Sequence, residues 1–164
     1  MATVTVNSKY IAAAAVTITL DALTSGSSRA STAVDNSTNL YDDYLVGTTI
    51  VTPASGTLAA NPSVTVYVAP LMDGTHYTDG CTGTDAAFTP PGQINSAVAS
   101  VIGVGTASQV LSVALTAYSL PFSVASLFGG VCPQKFVVWA TNNLGVALGT
   151  GNAVNAVGIE WTSA

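Results

Sequence analysis

Residues Ser63–Ala69 read SVTVYVA. Val64, Val66 and Val68 fall on one side of an extended chain, Thr65 and Tyr67 on the other, which is the two-residue period of a strand with one face buried. The pattern recurs in both directions along the chain. Upstream, Thr3–Asn7 (TVTVN), Val16–Leu20 (VTITL), Ser31–Val34 and Tyr44–Thr52 (YLVGTTIVT) read as strands. Downstream, the strand candidates are Val98–Val104, Val110–Ala117, Phe136–Thr141 (FVVWAT), Val146–Leu148 and a closing Ala156–Thr162. Asn142–Gly145 (NNLG) has the residues of a hairpin turn.

Helix signals are weak, because Glu, Lys, Arg and Gln are scarce and no long segment keeps a 3.6-residue period. The single helical candidate is Leu120–Phe128, closed by Gly129-Gly130. Eight or more short strands joined by Gly, Pro and Asn turns predict an all-β protein, an antiparallel β-sandwich of jelly-roll type. The predicted organisation is an extended N-terminal arm over residues 1–14 and a single β-sandwich domain over residues 15–164.

Composition narrows the function. The chain has 164 residues, 49% of them hydrophobic and only 7% charged, with 3 Lys and Arg against 8 Asp and Glu. Ordinary soluble domains carry about 25% charged residues. Three cations cannot neutralise a run of phosphates, which argues against a nucleic-acid partner and against a polybasic membrane anchor. The longest apolar run, Tyr10–Leu20, is too short to span a bilayer, so no membrane partner is expected. The surface polarity comes instead from 22 Thr and 16 Ser. Hydroxyl-rich surface costs less desolvation and side-chain entropy to bury than Lys or Glu, so the composition suits a subunit packed among neighbours. A secreted or cell-surface β domain is the alternative.

Residues 71–93 form a long punctuated loop with turns at Asp73-Gly74, Asp79-Gly80 and Pro90-Pro91-Gly92. Loops of that length in compact domains usually serve function or an interface. The loop holds the one His, His76, between Asp73 and Asp79. A His–Asp pair beside a hydroxyl is the raw material of nucleophilic catalysis, but the chain has no G-x-S-x-G elbow, and a solvated loop His is the expected reading. Asp73, Asp79 and Asp85 recur every six residues. Their spacing matches no EF-hand, and Asp-Gly is ordinary turn chemistry. No metal and no cofactor is therefore expected, and no catalytic residue is assigned.

Tyr41-Asp42-Asp43-Tyr44 pairs two carboxylates and two aromatic rings. Adjacent strand residues point to opposite faces, so Asp42 and Asp43 should not meet one substrate, and one tyrosine should pack inward. Tyr beside Asp is also a sugar-binding combination, which keeps a carbohydrate-binding sandwich open. Trp139 and Trp161 read as core residues. Cys81 and Cys132, the only cysteines, can pair if the fold brings them together, or serve as small buried hydrophobes.

Taken in order, SSRASTAVD (Ser27–Asp35), VTVYVAP (Val64–Pro70), GTDAAF (Gly83–Phe88) and NNLGVAL (Asn142–Leu148) resemble segments of small jelly-roll structural proteins of tailed bacteriophages. The likeness spans residues 24–162, and the stretch NSTNLYDDY after Asp35 departs from it. The resemblance implies a non-enzymatic virion protein on the capsid exterior, assembled in the host cytoplasm. It would be a decoration or cement protein that binds the major capsid protein as a homo-oligomer, for instance a trimer. A tail, baseplate or fibre component is the nearest alternative. The arm and the 71–93 loop are the expected contact regions.

Overall fold

The computed structural model describes residues 6–163 and is built almost wholly of antiparallel strands. In chain order these are β1 (Val6–Tyr10), β2 (Ala14–Ala15), β3 (Ser28–Ala30), β4 (Val34–Asp35), β5 (Asp43–Val51), β6 (Gly56–Thr57) and β7 (Ser63–Pro70). They continue with β8 (Ala86–Phe88), β9 (Ala97–Gly103), β10 (Val110–Leu111), β11 (Thr116–Tyr118), β12 (Phe122–Ser123), β13 (Lys135–Asn142) and β14 (Ala153–Ser163). One helical turn, α1 (Val124–Leu127), lies inside the predicted helix window, with the Ser123 side chain capping the Ser126 N–H.

Two six-stranded sheets face each other. The first runs β1-β14-β5-β11, with β2 also on β14 and β12 also on β5. The second runs β8-β3-β13-β7-β9, with β4 also on β13. β6 and β10 form a separate short pair. Val64, Val66 and Val68 of β7 are fully buried, as their alternation predicts, and meet Phe136, Val138 and Ala140 of β13 and Ile102 of β9. Tyr44, Val46, Ile50, Val154 and Ala156 from the first sheet close the same core.

A second, smaller core lies on the other face of the second sheet. There Tyr67, Ala69, Val137 and Trp139 are covered by Tyr77, Cys81 and Phe88 from the 71–93 segment and its continuation. The run Val137-Val138-Trp139-Ala140 is therefore buried on both faces, the mark of a strand covered on both sides. The long loop, expected as a contact region, roofs its own sheet over part of its length.

Five expectations change. Ser31–Val34 is not a strand: residues 31–33 are the gap between β3 and β4, and only Val34 joins a ladder. Val16–Leu20 is not a strand, although its alternation gives the correct burial, with Val16 and Leu20 inside and Thr17 and Thr19 exposed. Its backbone bonds go to scattered partners: the Val16 N–H to Val154 O, the Thr19 N–H to the Asp85 carboxylate, and Thr17 O from the Thr32 N–H. Val110–Ala117 divides into β10 and β11. Val146–Leu148 makes no ladder. Asn142–Gly145 is a turn, but it carries the chain from the second sheet to the first and does not close a hairpin. Asn142 Oδ1 accepts the Leu144 N–H there, and Gly145 takes a φ of 85° against the Ala59 backbone.

Candidate functional site

The outer face of the first sheet is a broad uncharged surface. Register places Leu45, Gly47, Thr49 and Val51 of β5 beside Val157, Asn155 and Ala153 of β14, and beside Tyr118 and Thr116 of β11. All are exposed or half-buried, and none is ionisable except the phenol of Tyr118. The carboxylate aligned with this row, Asp43, is withdrawn from solvent. It accepts the Ser123 hydroxyl at 2.5 Å and the backbone N–H groups of Ala125 and Tyr44 at 2.7 Å each.

The face continues onto a two-stranded ribbon. β14 leaves β5 at the Ile159–Asp43 pair, and residues 160–163 then pair with β1 alone among the described strands. Asp42 finishes the β5 edge: its N–H donates to Ile159 O, and its carboxylate accepts the Trp161 N–H at 2.6 Å. Tyr10, Ser8 and Val6 are aligned with Ile159, Trp161 and Ser163 on the same side as Leu45 and Val157. Tyr10 is 62% exposed, Val6 65% and Trp161 57%. Lys9 and Glu160 lie on the opposite side, joined at 3.0 Å.

Within the expected arm, residues 1–14, Val6–Tyr10 pair with β14 as a sheet edge, and β2 (Ala14–Ala15) pairs with it again at the boundary; residues 1–5 lie outside the described part. Trp161, expected in the core, is exposed, because alternation along β14 sets it on the outward side with Asn155 and Val157, opposite the buried Val154 and Ala156. Trp139 does pack inside, with its Nε1 hydrogen buried and without a partner among the described residues.

The other candidate residues are engaged separately. His76 Nδ1 lies 2.8 Å from Asp73 Oδ2 on an exposed turn, and among the described residues no hydroxyl hydrogen-bonds its ring. The His76 and Thr75 N–H groups and the His76 ring hold the Asp73 carboxyl down to about 2. Burial pushes Asp79 up, yet bonds from Ser96 and Asn95 outweigh it and leave it below its ordinary value. Asp85 is likewise held down against burial by Arg29, whose Nε lies at 2.6 Å, and by Thr19. The three aspartates therefore fasten three different places, and no group of three or more metal-ligating side chains occurs among the described residues.

Tyr44 is buried, edge-on to Phe136 and to Tyr41 at 5.4 Å each, so it offers no platform to a sugar. Cys81 sits in the smaller core and Cys132 against the larger one, both as free thiols. Burial raises Cys81 to about 12 and Cys132 to about 11.

A half-open groove of about 340 Å³ runs between residues 11–17 and residues 32–41. Its walls are mainly Ala, Val and Tyr, and its one carboxylate, Asp35, is held near 2 by Lys135 at 2.6 Å. A carboxylate so placed is a poor general acid or base at neutral pH. No protein-family model, curated protein or solved structure matches the chain.

Proposed function

We propose that the protein is a virion structural component, a decoration or cement protein that seats on a capsid shell and bridges neighbouring major capsid subunits. The observation that carries this reading is the uncharged face of the first sheet, extended by the β1–β14 ribbon with Val6, Tyr10 and Trp161 uncovered. Such a face can be dehydrated against a partner without burying unpaired charge. The resemblance to phage jelly-roll proteins supports the same reading. The interleaved strand order, β1-β14-β5-β11 facing β3-β13-β7-β9, is compatible with a jelly roll and supports the reading as well. In this reading the protein holds the shell against internal pressure by added contact area and performs no chemistry.

Sedimentation of the purified protein with expanded, undecorated phage capsids tests it. Co-sedimentation at a fixed copy ratio to the capsid protein is the expected result. Protein that stays in the supernatant at saturating capsid overturns the cement role; recovery on isolated tails would then assign it to the tail. A Gly47→Trp variant places bulk on the uncharged face, where a Cβ at position 47 meets nothing within 4 Å. It should fold and lose shell binding.

A further inference from the structure

β1 is an edge strand without the usual protections. Ile11 donates its N–H to Gly158 O, so by the alternation of an antiparallel ladder Lys9 and Asn7 turn their backbone groups toward β14. Val6, Ser8 and Tyr10 then turn theirs outward, and no strand among the described residues pairs with that edge. The other edges are blunted. β8 and β11 are three residues each, and β9 carries a register shift opposite Val66 and Tyr67. β1 has five residues, no Pro and no bulge, and its single charge, Lys9, is neutralised by Glu160. A lone two-stranded ribbon is marginal in water.

We propose that the outward edge of β1 pairs antiparallel with β1 of a second copy, across a two-fold axis at Ser8, joining two first sheets into one continuous layer. The sequence of β1, VNSKY, is self-complementary in that register. Tyr10 faces Val6 of the other copy, an aromatic–β-branched pair of the kind that stabilises sheets. Lys9 faces Asn7 of the other copy, so the two lysines avoid direct opposition. Ser8, the smallest side chain of the strand, lies at the axis between the two exposed Trp161 rings. The uncharged faces of both copies then form one surface of doubled extent. The inference concerns the protein alone and stands apart from shell binding.

Light scattering on the eluting protein is expected to give twice the 16.4 kDa of the chain. Ser8→Pro removes the N–H at the axis while leaving the β14 ladder intact, and it should elute as a monomer with an unchanged circular dichroism spectrum. A monomeric wild type at every attainable concentration, or a Ser8→Pro variant that stays dimeric, overturns the proposal. If Ser8→Pro does not fold, cysteine cross-linking decides. Hydrogen-bonded antiparallel partners lie about 5.5 Å apart at Cα, within the roughly 4.4–6.8 Å that a disulfide spans. Under oxidation Ser8→Cys should link to itself, and Val6→Cys mixed with Tyr10→Cys should link to each other, whereas Tyr10→Cys alone should not. Absence of the Ser8→Cys link, or equal linking of Tyr10→Cys to itself, overturns the register. Because no capsid is present, failure here leaves the sedimentation result untouched, and the reverse holds.

Discussion

Tyr67 and Trp139, direct partners across β7 and β13, stack face to face with ring centroids 3.8 Å apart and planes 8° from parallel. Phe88 meets the same indole edge-on at 5.1 Å. This cluster ties the roof to the second sheet. Trp139→Ala should cost about 3–5 kcal/mol in denaturant unfolding, and it should open the 71–93 segment to proteolysis before the sandwich melts. Cleavage no faster than in the wild type would show that the roof is held by other contacts.

Asp43 and Asp42 are adjacent in sequence and unequal in burden. Asp43→Ala strips a buried acceptor from Ser123, Ala125 and Tyr44 and should cost on the order of 3 kcal/mol. Asp42→Ala loses one exposed bond to Trp161 and should cost about 1 kcal/mol or less. Urea midpoints for the two variants check the contrast.

Asp79 and Asp85 have folded-state pKa values below those of free aspartate. A depressed carboxyl contributes stability that is present above the unfolded pKa, about 4, and is lost as pH falls through the folded value. The melting temperature should therefore hold from neutral pH to about 5 and fall below about 4. Asp85→Asn, which loses the Arg29 ion pair, should melt lower at pH 7 and show a shallower acid slope.

Thiol labelling separates buried cysteines from reactive ones. With Cys81 raised to about 12 and Cys132 to about 11, few thiolates exist at pH 8. Native protein should take up iodoacetamide far more slowly than protein in denaturant. Rapid labelling of either site would place it at an open surface.

Glycines give a paired test of packing. A Cβ on Gly149 would stand 2.3 Å from Thr52 O, a backbone atom with little room to move, so Gly149→Ala should cost about 1–3 kcal/mol. Gly47→Ala meets nothing within 4 Å and should be neutral or stabilising by up to about 1 kcal/mol. Thermal unfolding of both variants reads the difference.

The alternation in SVTVYVA carried the sandwich because side-chain period and burial are the same physical fact. VTITL obeyed that rule for burial and still failed as a strand, since a ladder also needs a continuous backbone partner, and alternation is silent about partners. The roof was legible in part. Apolar residues at both parities of Phe136–Ala140 require cover on two faces, and 71–93 was the one long segment free to supply it. Trp161 differs from its expected place because hydrophobicity alone ignores parity: the buried Val154 and Ala156 set the inward side of β14, and Trp161 falls on the other. The uncharged face of the first sheet was the least legible feature, for its residues, from Leu45 and Thr49 to Asn155, Tyr118 and Trp161, are scattered along the chain and only register brings them together.

The place of β14 in the first sheet has a consequence for how the chain is made. β14 sits between β1 and β5, and its contacts close very large loops: Lys9 meets Glu160 across 151 positions, and Asp42 meets Trp161 across 119. On the ribosome, β1 and β5 emerge well before the strand that separates them, so that half of the sandwich is without its centre until residues 153–163 follow. The second sheet waits nearly as long, since its central strand β13 pairs with β3 across similar distances, Ser28 meeting Thr141 across 113 positions. Folding of the first sheet thus waits for residues 153–163, and it is expected at the slow rate typical of β proteins rich in distant contacts. A nascent chain held at the exit tunnel before residue 153 should expose β5 as an open edge that chaperones or sister chains can occupy.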